Sequence, residues 1–270
     1  REAEFIKENS DMLISLFDNK TKEGGFALLS RGFKKEPQIL VKGQYSYSSV
    51  IKAKNTKDIV FTKENFETSP DIFLSDLSFK RELKITDINP QQKDFLWGRA
   101  ELVTWRSLDG KELQGVVYKP ENFDPSKKYP MIVNFYDKNS SSLFAYRTPE
   151  AHRSTVDYHM YNSHGYIIFN PDIIYKDGYP GESAFNCIMP GISSLIQQGW
   201  VNEKAIGAQG HSWGGYQVAY LATRTSLFAA IESGAPVVNM FSAYGGIRWG
   251  TGLNRSFQYE HQQSRIGATH

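Results

Sequence analysis

The chain has 270 residues, of which 40% are hydrophobic and 22% charged, the balance of an ordinary globular protein rather than a disordered or fibrous one. Its net charge is +2, and Lys and Arg are scattered among acids, so nothing indicates a nucleic-acid partner. No apolar stretch approaches the roughly 18 residues that a membrane-spanning helix needs. Cys187 is the single cysteine, which excludes an internal disulfide framework and a cysteine-based zinc site.

Residues 1–95 consist of short strand-like runs separated by polar turns, at a spacing typical of an antiparallel β meander. Sandwich sheets or propeller blades both fit this pattern, and there is no exact internal repeat to separate them. The predicted strands are Asp11–Phe17, Phe26–Arg31, Tyr45–Ala53, Asp58–Glu64 and Asp71–Leu77.

Beyond residues 90–98 strands and helices alternate, which predicts a mostly parallel sheet covered by helices. We therefore expect two domains, 1–95 and 96–270. The second opens with a hairpin that has Asp-Gly in its turn. Its predicted strands are Glu101–Arg106, Glu112–Tyr118, Met131–Phe135, Tyr166–Asn170, Ala205–Gln209 and Phe228–Ser233. Its predicted helices are Pro149–Ser163, Ala184–Gln198 (interrupted at Pro190) and Gly215–Thr223.

A Gly-x-Ser-x-Gly motif occupies residues 210–215, GHSWGG, between a buried strand and a helix. This is the setting that a serine nucleophile requires, because a sharp strand-to-helix turn projects the Ser212 hydroxyl above the sheet. The amide of Trp213, at the helix N-terminus, would then face a developing oxyanion. A glycine-rich turn with an incidental serine is the alternative interpretation.

The segment GHSWGGY at 210–216, followed by SGAPV at 233–237, resembles the prolyl oligopeptidase family of serine peptidases. The likeness is greatest to its dipeptidyl-peptidase and acylaminoacyl-peptidase branches, and it extends upstream through GYPG at 178–181 and KKYPMIV at 127–133. The family joins a β-propeller to an α/β-hydrolase domain. The resemblance thus implies an α/β-hydrolase domain, lacking its last strands, preceded by antiparallel strands resembling the end of a β-propeller.

The resemblance also implies a second oxyanion donor, the hydroxyl of Tyr136, which follows a predicted strand. The alternative role for Tyr136 is a strand-end aromatic packed on the core. A His-Gly-Gly loop, found in many lipases, is absent, which argues against a lipase.

The stretch from Val237 to Tyr244 matches the family region that lines the pocket for the residue before the scissile bond. Trp213, Val237, Met240 and Tyr244 are the predicted apolar wall of that pocket. Alternatively, Met240 and Tyr244 pack a helix and have no contact with substrate.

A Ser-acid-His triad on this fold has its acid and histidine after the serine, yet no aspartate follows Ser212. The available acids are Glu232, within a predicted strand, and Glu260, adjacent to His261, and neither makes a convincing pair with a base. We expect the chain to stop before the strands that carry the Asp and His, which would leave this fragment inactive and a sheet edge unpaired. An unorthodox site within the chain is the alternative.

These observations predict a serine peptidase acting on short peptides through an acyl-enzyme, without cofactor or metal. His152, His159 and His164 cluster in sequence, but their spacing suits capping or solvent exposure better than metal binding. A carboxylesterase of the same fold and a non-catalytic hydrolase-like binding module remain alternatives. Beyond substrate, the expected partners are the remainder of the chain or a second copy. The compartment stays open, with an exported or periplasmic protein favoured over a cytoplasmic one.

Overall fold

The computed structural model describes residues 10–33, 35–150 and 155–262. The chain forms two compact units. The first comprises Arg1–Asp94 and Ser141–Thr148, and the second comprises Phe95–Ser140 and Pro149–His270.

The first unit contains two antiparallel sheets, ordered β1-β2-β3 and β4-β5-β6-β7. Their strands are β1 (Met12–Phe17), β2 (Gly24–Leu29), β3 (Gln38–Gly43), β4 (Ser46–Lys52), β5 (Asp58–Glu64), β6 (Asp71–Asp76) and β7 (Leu83–Lys84). Strands β3 and β7 were not predicted from the sequence. Both are edge strands with mostly exposed or half-buried side chains, so neither carries the apolar alternation that identifies a strand.

Aromatic rings fill the core of the first unit. Phe26, Phe61 and Phe79 are almost fully buried beside Ile59. The ring centroids of Phe26 and Phe79 lie 5.3 Å apart in a stacked arrangement, and those of Phe61 and Phe79 lie 5.5 Å apart. Such aromatic pairs stabilise a small β unit beyond the area that they bury.

The segment Ser141–Thr148 joins this unit although it lies between elements of the second unit in sequence. The backbone N–H of Tyr146 donates to the Glu64 carboxylate at 3.1 Å, and the Asn89 side-chain amide donates to the Tyr146 hydroxyl at 2.6 Å. Partial burial raises the pKa of Glu64 above its ordinary value, although the Tyr146 N–H opposes the shift.

A fully buried carboxylate, Asp71, anchors the start of β6. It accepts hydrogen bonds from the Thr86 hydroxyl at 2.8 Å and the Ile88 N–H at 2.9 Å, and it lies 2.8 Å from the Lys84 ammonium. Burial disfavours the charged form, but Lys84 and these hydrogen bonds outweigh it and lower the pKa of Asp71 below 3.8.

Because the folded-state pKa is below the unfolded one, the Asp71 contribution is complete above about pH 4 and is lost as the pH falls through the folded value. We expect Asp71→Asn to lower the free energy of unfolding by about 2 kcal/mol at pH 6, with a smaller difference as the pH approaches 2. Thermal unfolding across this range measures the effect. Asp87→Asn is the matched control, since Asp87 pairs with the same Lys84 but is 65% exposed. Equal losses in the two variants would contradict the prediction.

The second unit is built on a six-stranded sheet in the order β13-β12-β10-β11-β9-β8. Its strands are β8 (Arg99–Arg106), β9 (Glu112–Lys119), β10 (Tyr129–Asn134), β11 (Ile167–Pro171), β12 (Val201–His211) and β13 (Ala230–Gly234). Strands β10 to β13 are mutually parallel where they pair, whereas β8 and β9 form the predicted antiparallel hairpin. Two further short strands, β14 (Ile247–Arg248) and β15 (Leu253–Asn254), pair only with each other.

Four helices accompany this sheet: α1 (Tyr158–Ser163), α2 (Pro180–Gln197), α3 (Trp213–Ala222) and α4 (Met240–Tyr244). The predicted helix from Pro149 was too long. Asp157 is extended and accepts a hydrogen bond from the Met160 N–H at 3.0 Å, so it caps α1 and fixes its start at Tyr158. Residues 151–154 of that prediction lie outside the described residues. No helix in the described part of the chain is long and apolar enough to cross a membrane.

Helix α2 runs through Pro190, where the sequence analysis expected an interruption. A proline removes the N–H that would bond the carbonyl four residues earlier, here Asn186. The N–H of Leu108, in the β8–β9 turn, donates to that carbonyl at 3.0 Å instead. The indole of Trp105 also donates to the next carbonyl, that of Cys187, at 2.8 Å. The hairpin thus supplies hydrogen-bond donors to the helix carbonyls that precede its proline.

We expect Trp105→Phe to lower the free energy of unfolding by about 2 kcal/mol, because it removes the indole donor to the Cys187 carbonyl and leaves space beside α2. Urea unfolding measures the loss. Trp249→Phe is the matched control, since Trp249 is 99% exposed, and it should have no measurable effect. An unchanged unfolding midpoint for Trp105→Phe would show that the hairpin does not support the helix.

Candidate active site

Ser212 lies between the last residue of β12 and the first residue of α3, with φ 57° and ψ −109°. Non-glycine residues rarely adopt positive φ, so this backbone is strained. Two hydrogen bonds hold the turn: Ser212 N–H donates to the Gly234 carbonyl at 2.7 Å, and Tyr216 N–H donates to the Ser212 carbonyl at 3.1 Å. The hydroxyl of Ser212 does not cap α3, although serine at this position usually does.

Glycines permit this turn by close approach of backbones. A β-carbon on Gly210 would lie 2.4 Å from the Gly214 carbonyl oxygen, and one on Gly214 would lie 2.5 Å from the Phe135 carbonyl oxygen. Both distances are far below van der Waals contact. The N-terminus of α3 therefore presses against β12 on one side and against the end of β10 on the other.

Tyr136 follows directly on Phe135, so the same close approach brings its backbone beside the serine turn: its Cα would lie 3.8 Å from a β-carbon on Gly214. The Tyr136 ring is 40% exposed, whereas the neighbouring Phe135 ring is buried in the core. The backbone carbonyl of Tyr136 accepts hydrogen bonds from the Tyr175 hydroxyl at 2.8 Å and the Gln217 amide at 3.2 Å.

The four predicted wall residues lie together in one apolar cluster. Trp213 is buried at its centre with Ala243 and Tyr259, and Val237, Met240 and Tyr244 pack around them. Met240 and Tyr244 lie on α4, and the contacts by which they pack that helix are the same contacts that place them in the cluster.

Four members of this cluster were not predicted from the sequence: Tyr175, Tyr216, Ala243 and Tyr259. Tyr216 stands inside the recognised motif and stacks on Trp213 with ring centroids 5.0 Å apart, so its position carried a usable signal. Nothing in the sequence around Tyr259 indicated burial. Burial raises the pKa of Tyr259, and the Tyr136 phenol adds to the rise. The positive charges of Arg255 and Arg248 oppose the shift.

The acids after Ser212 occupy different surroundings. The Tyr244 hydroxyl donates to Glu260, which therefore belongs to the margin of the apolar cluster. A β-carbon on Gly234 would lie 2.9 Å from a Glu232 carboxylate oxygen and 3.3 Å from His211 Nδ1. These two side chains therefore lie beside Gly234, whose carbonyl accepts the hydrogen bond from Ser212 N–H. No hydrogen bond joins the Ser212 hydroxyl to an imidazole in the described part of the chain. The His261 side chain and His270 lie outside it.

The predicted wall residues pack against one another, and a pocket of about 400 Å³ opens elsewhere, over the face formed by β10, β12 and β13. Its lining includes Ile132, Gly207 and Ile231 and none of the predicted site residues.

Within residues 10–33, 35–150 and 155–262, no group of three or more His, Cys, Asp or Glu side chains is arranged to hold a metal ion. His159 instead packs against Trp97 in a tilted arrangement, with ring centroids 3.8 Å apart.

The model of the Prolyl oligopeptidase family matches residues 175–264, which contain the serine turn and all of the apolar cluster. Among solved structures, dipeptidyl peptidase 4 of Porphyromonas gingivalis superposes with a TM-score of 0.61 at 17% identity, over 85% of this chain and 34% of that one. The acylaminoacyl peptidase of Pyrococcus horikoshii gives 0.67 at 19%, over 92% and 39%. A post-proline cleaving enzyme from Rickettsia typhi gives 0.63 at 16%, over 89% and 36%.

The chain thus spans between about a third and two fifths of the length of these proteins. At such identities the likeness concerns the fold. It confirms the predicted fold class, an α/β-hydrolase domain preceded by antiparallel sheets that resemble β-propeller blades. Together with the family match, it also confirms the resemblance that the sequence motifs predict: the chain is similar in fold and motif to the prolyl oligopeptidase family.

Proposed function

We propose that this chain carries the nucleophile and the oxyanion donors of a serine peptidase that hydrolyses short peptides. The observation that carries the proposal is the conformation of Ser212, which is held at positive φ between a buried strand and a helix N-terminus and leaves its hydroxyl out of the helix cap. Such strain persists only where the surrounding structure imposes it, and it is concentrated at functional sites.

In the proposed reaction Ser212 Oγ attacks the carbonyl carbon of the scissile peptide bond while a base accepts the hydroxyl proton. The oxyanion of the tetrahedral intermediate accepts hydrogen bonds from the Trp213 N–H and the Tyr136 hydroxyl. Collapse of the intermediate expels the amine, which takes up a proton, and leaves an acyl group on Ser212. Water then attacks the acyl-enzyme and releases the acid. We assign the base to a His oriented by an Asp, in a part of the protein outside the described residues.

The apolar cluster around Trp213 adjoins the serine turn, and it supports an apolar or small side chain before the scissile bond. Val237 follows the segment whose Gly234 carbonyl holds Ser212 N–H, so the same loop would position both the nucleophile and the substrate side chain. The same geometry would also serve ester hydrolysis. Comparing aminoacyl-amide with short acyl-ester substrates on the full-length protein distinguishes the two, and cleavage of esters alone would overturn the peptidase assignment.

The nucleophile is tested by labelling the full-length protein with a fluorophosphonate. We expect one adduct, located at Ser212 by mass spectrometry, and its complete loss in Ser212→Ala because the alanine has no hydroxyl to phosphonylate. Ser163→Ala, at an exposed serine on α1, is the control and should label normally. A protein that folds but does not label at Ser212 would favour a non-catalytic binding module.

The oxyanion donor is tested by Tyr136→Phe, which removes one hydroxyl and keeps the ring. We expect kcat to fall by about 10²–10³ with little change in KM, because the hydrogen bond strengthens as negative charge develops on the substrate oxygen. Tyr179→Phe is the matched control, since Tyr179 is 53% exposed before α2, and its kcat should be unchanged. An unaltered kcat in Tyr136→Phe would refute this role for Tyr136.

A further inference from the structure

The backbone carbonyl of Tyr136 is a junction of hydrogen bonds. The Tyr175 hydroxyl donates to it at 2.8 Å from the segment after β11, and the Gln217 side-chain amide donates to it at 3.2 Å from α3. Gln217 also donates to the Tyr175 hydroxyl, which closes a three-membered polar network. Two elements that are distant in sequence therefore converge on one peptide group.

Gln217 is fully buried, which is unusual for a glutamine. It lies one helical turn after Trp213, on the same face of α3, because residues four apart share a face. The Gln217 amide donates to the Tyr136 carbonyl. One turn earlier on the same helix, the Gly214 backbone closely approaches the neighbouring residue, Phe135.

Burying a polar side chain is costly unless it is hydrogen-bonded. The amide nitrogen of Gln217 donates to the Tyr136 carbonyl and to the Tyr175 hydroxyl, whereas its amide oxygen is buried without a partner in the described part of the chain, so the two donated bonds are what offset the burial.

The chain after Tyr136 is also tied to the segment after β11. Ile173 N–H donates to the Asp137 carbonyl at 3.3 Å. The carboxylate of Asp172, 7% exposed, accepts hydrogen bonds from the backbone N–H groups of Asn139 and Ser140 at 2.6 and 2.8 Å. These contacts hold the loop after Tyr136, whereas the Gln217 side chain links Tyr136 itself to the helix that follows the nucleophile.

We propose that Gln217 is a positioning residue of the proposed peptidase: through the Tyr136 carbonyl, and with Tyr175, it sets the Tyr136 hydroxyl at a fixed place relative to Ser212. The inference rests on the proposed function and extends it to a residue that does not touch substrate. A peptide group held by two side-chain donors cannot rotate without breaking both bonds, so the Tyr136 side chain starts from a fixed Cα. Such placement matters because an error of about 1 Å in a catalytic group costs about 10²-fold in rate.

The direct test is Gln217→Met, which keeps the length and helix preference of the side chain and removes its donor. On the full-length protein we expect kcat for an aminoacyl-amide substrate to fall about tenfold with KM within about twofold, because the defect appears only when the oxyanion forms. Tyr175→Phe, which removes one hydroxyl and creates no cavity, should lower kcat in the same way. Two variants with normal kcat would overturn the proposal.

Stability is separated from positioning by a matched control, Asn162→Leu. Asn162 is also a buried amide that donates two hydrogen bonds to oxygens, those of Tyr118 and Tyr166, but it lies on α1. We expect it to lower the free energy of unfolding at least as much as Gln217→Met does and to leave kcat unchanged. An equal fall of kcat in Asn162→Leu would mean that loss of stability explains both variants.

A double-mutant cycle with Tyr136→Phe identifies the route of the effect. If Gln217 acts through the Tyr136 hydroxyl, removing the donor in the Tyr136→Phe background should change kcat less than twofold. Additive losses would overturn the proposal. The proposed function fails by a different result: a native protein that neither labels at Ser212 nor cleaves peptides, or a Tyr136→Phe variant with native kcat.

Discussion

The close approach of α3 to the end of β10 is the constraint on which the site depends. Gly214 has no side chain, and the Phe135 carbonyl oxygen lies only 2.5 Å from the position that a β-carbon would take there. At the same turn Gly210 leaves room for the Gly214 carbonyl. This packing brings Ser212 and the first residues of α3 beside the chain that follows β10 and carries Tyr136. A larger residue at either position would separate the nucleophile from its proposed partner.

At two places in the second unit, a neighbouring element pairs backbone groups that an irregular feature leaves without a regular partner. The Asn186 carbonyl, deprived of a partner by Pro190, accepts from Leu108 in the hairpin turn. The amides at Asn139 and Ser140 are held by the Asp172 carboxylate. Because buried backbone groups must be paired, these contacts bind the hairpin to α2 and the β10 loop to the end of β11.

Much of this architecture was predictable from local patterns. The positions of the strands in the first unit followed from turn spacing, apart from the edge strands β3 and β7. The hairpin, the parallel strands and the serine turn followed from the Asp-Gly pair, from apolar runs and from the motif at 210–215. The start of α1 was misjudged because a single cap, Asp157, decides it. The course of α2 through Pro190 was misjudged because a partner 78 residues away in sequence, Leu108, replaces the missing bond.

The sequence by itself determined the class of fold, the position of the nucleophile turn and the family resemblance, because each is encoded in residues that are neighbours along the chain. It also named Trp213, Val237, Met240 and Tyr244 as one group, and the structure places them in one cluster. Only the tertiary structure decided that Tyr259 is buried in that cluster and that Gln217 and Tyr175 meet at the Tyr136 carbonyl. The two hydrogen bonds to the Tyr136 carbonyl join residues 39 and 81 positions apart, and no periodicity in sequence encodes a hydrogen bond between a helix side chain and a distant loop carbonyl.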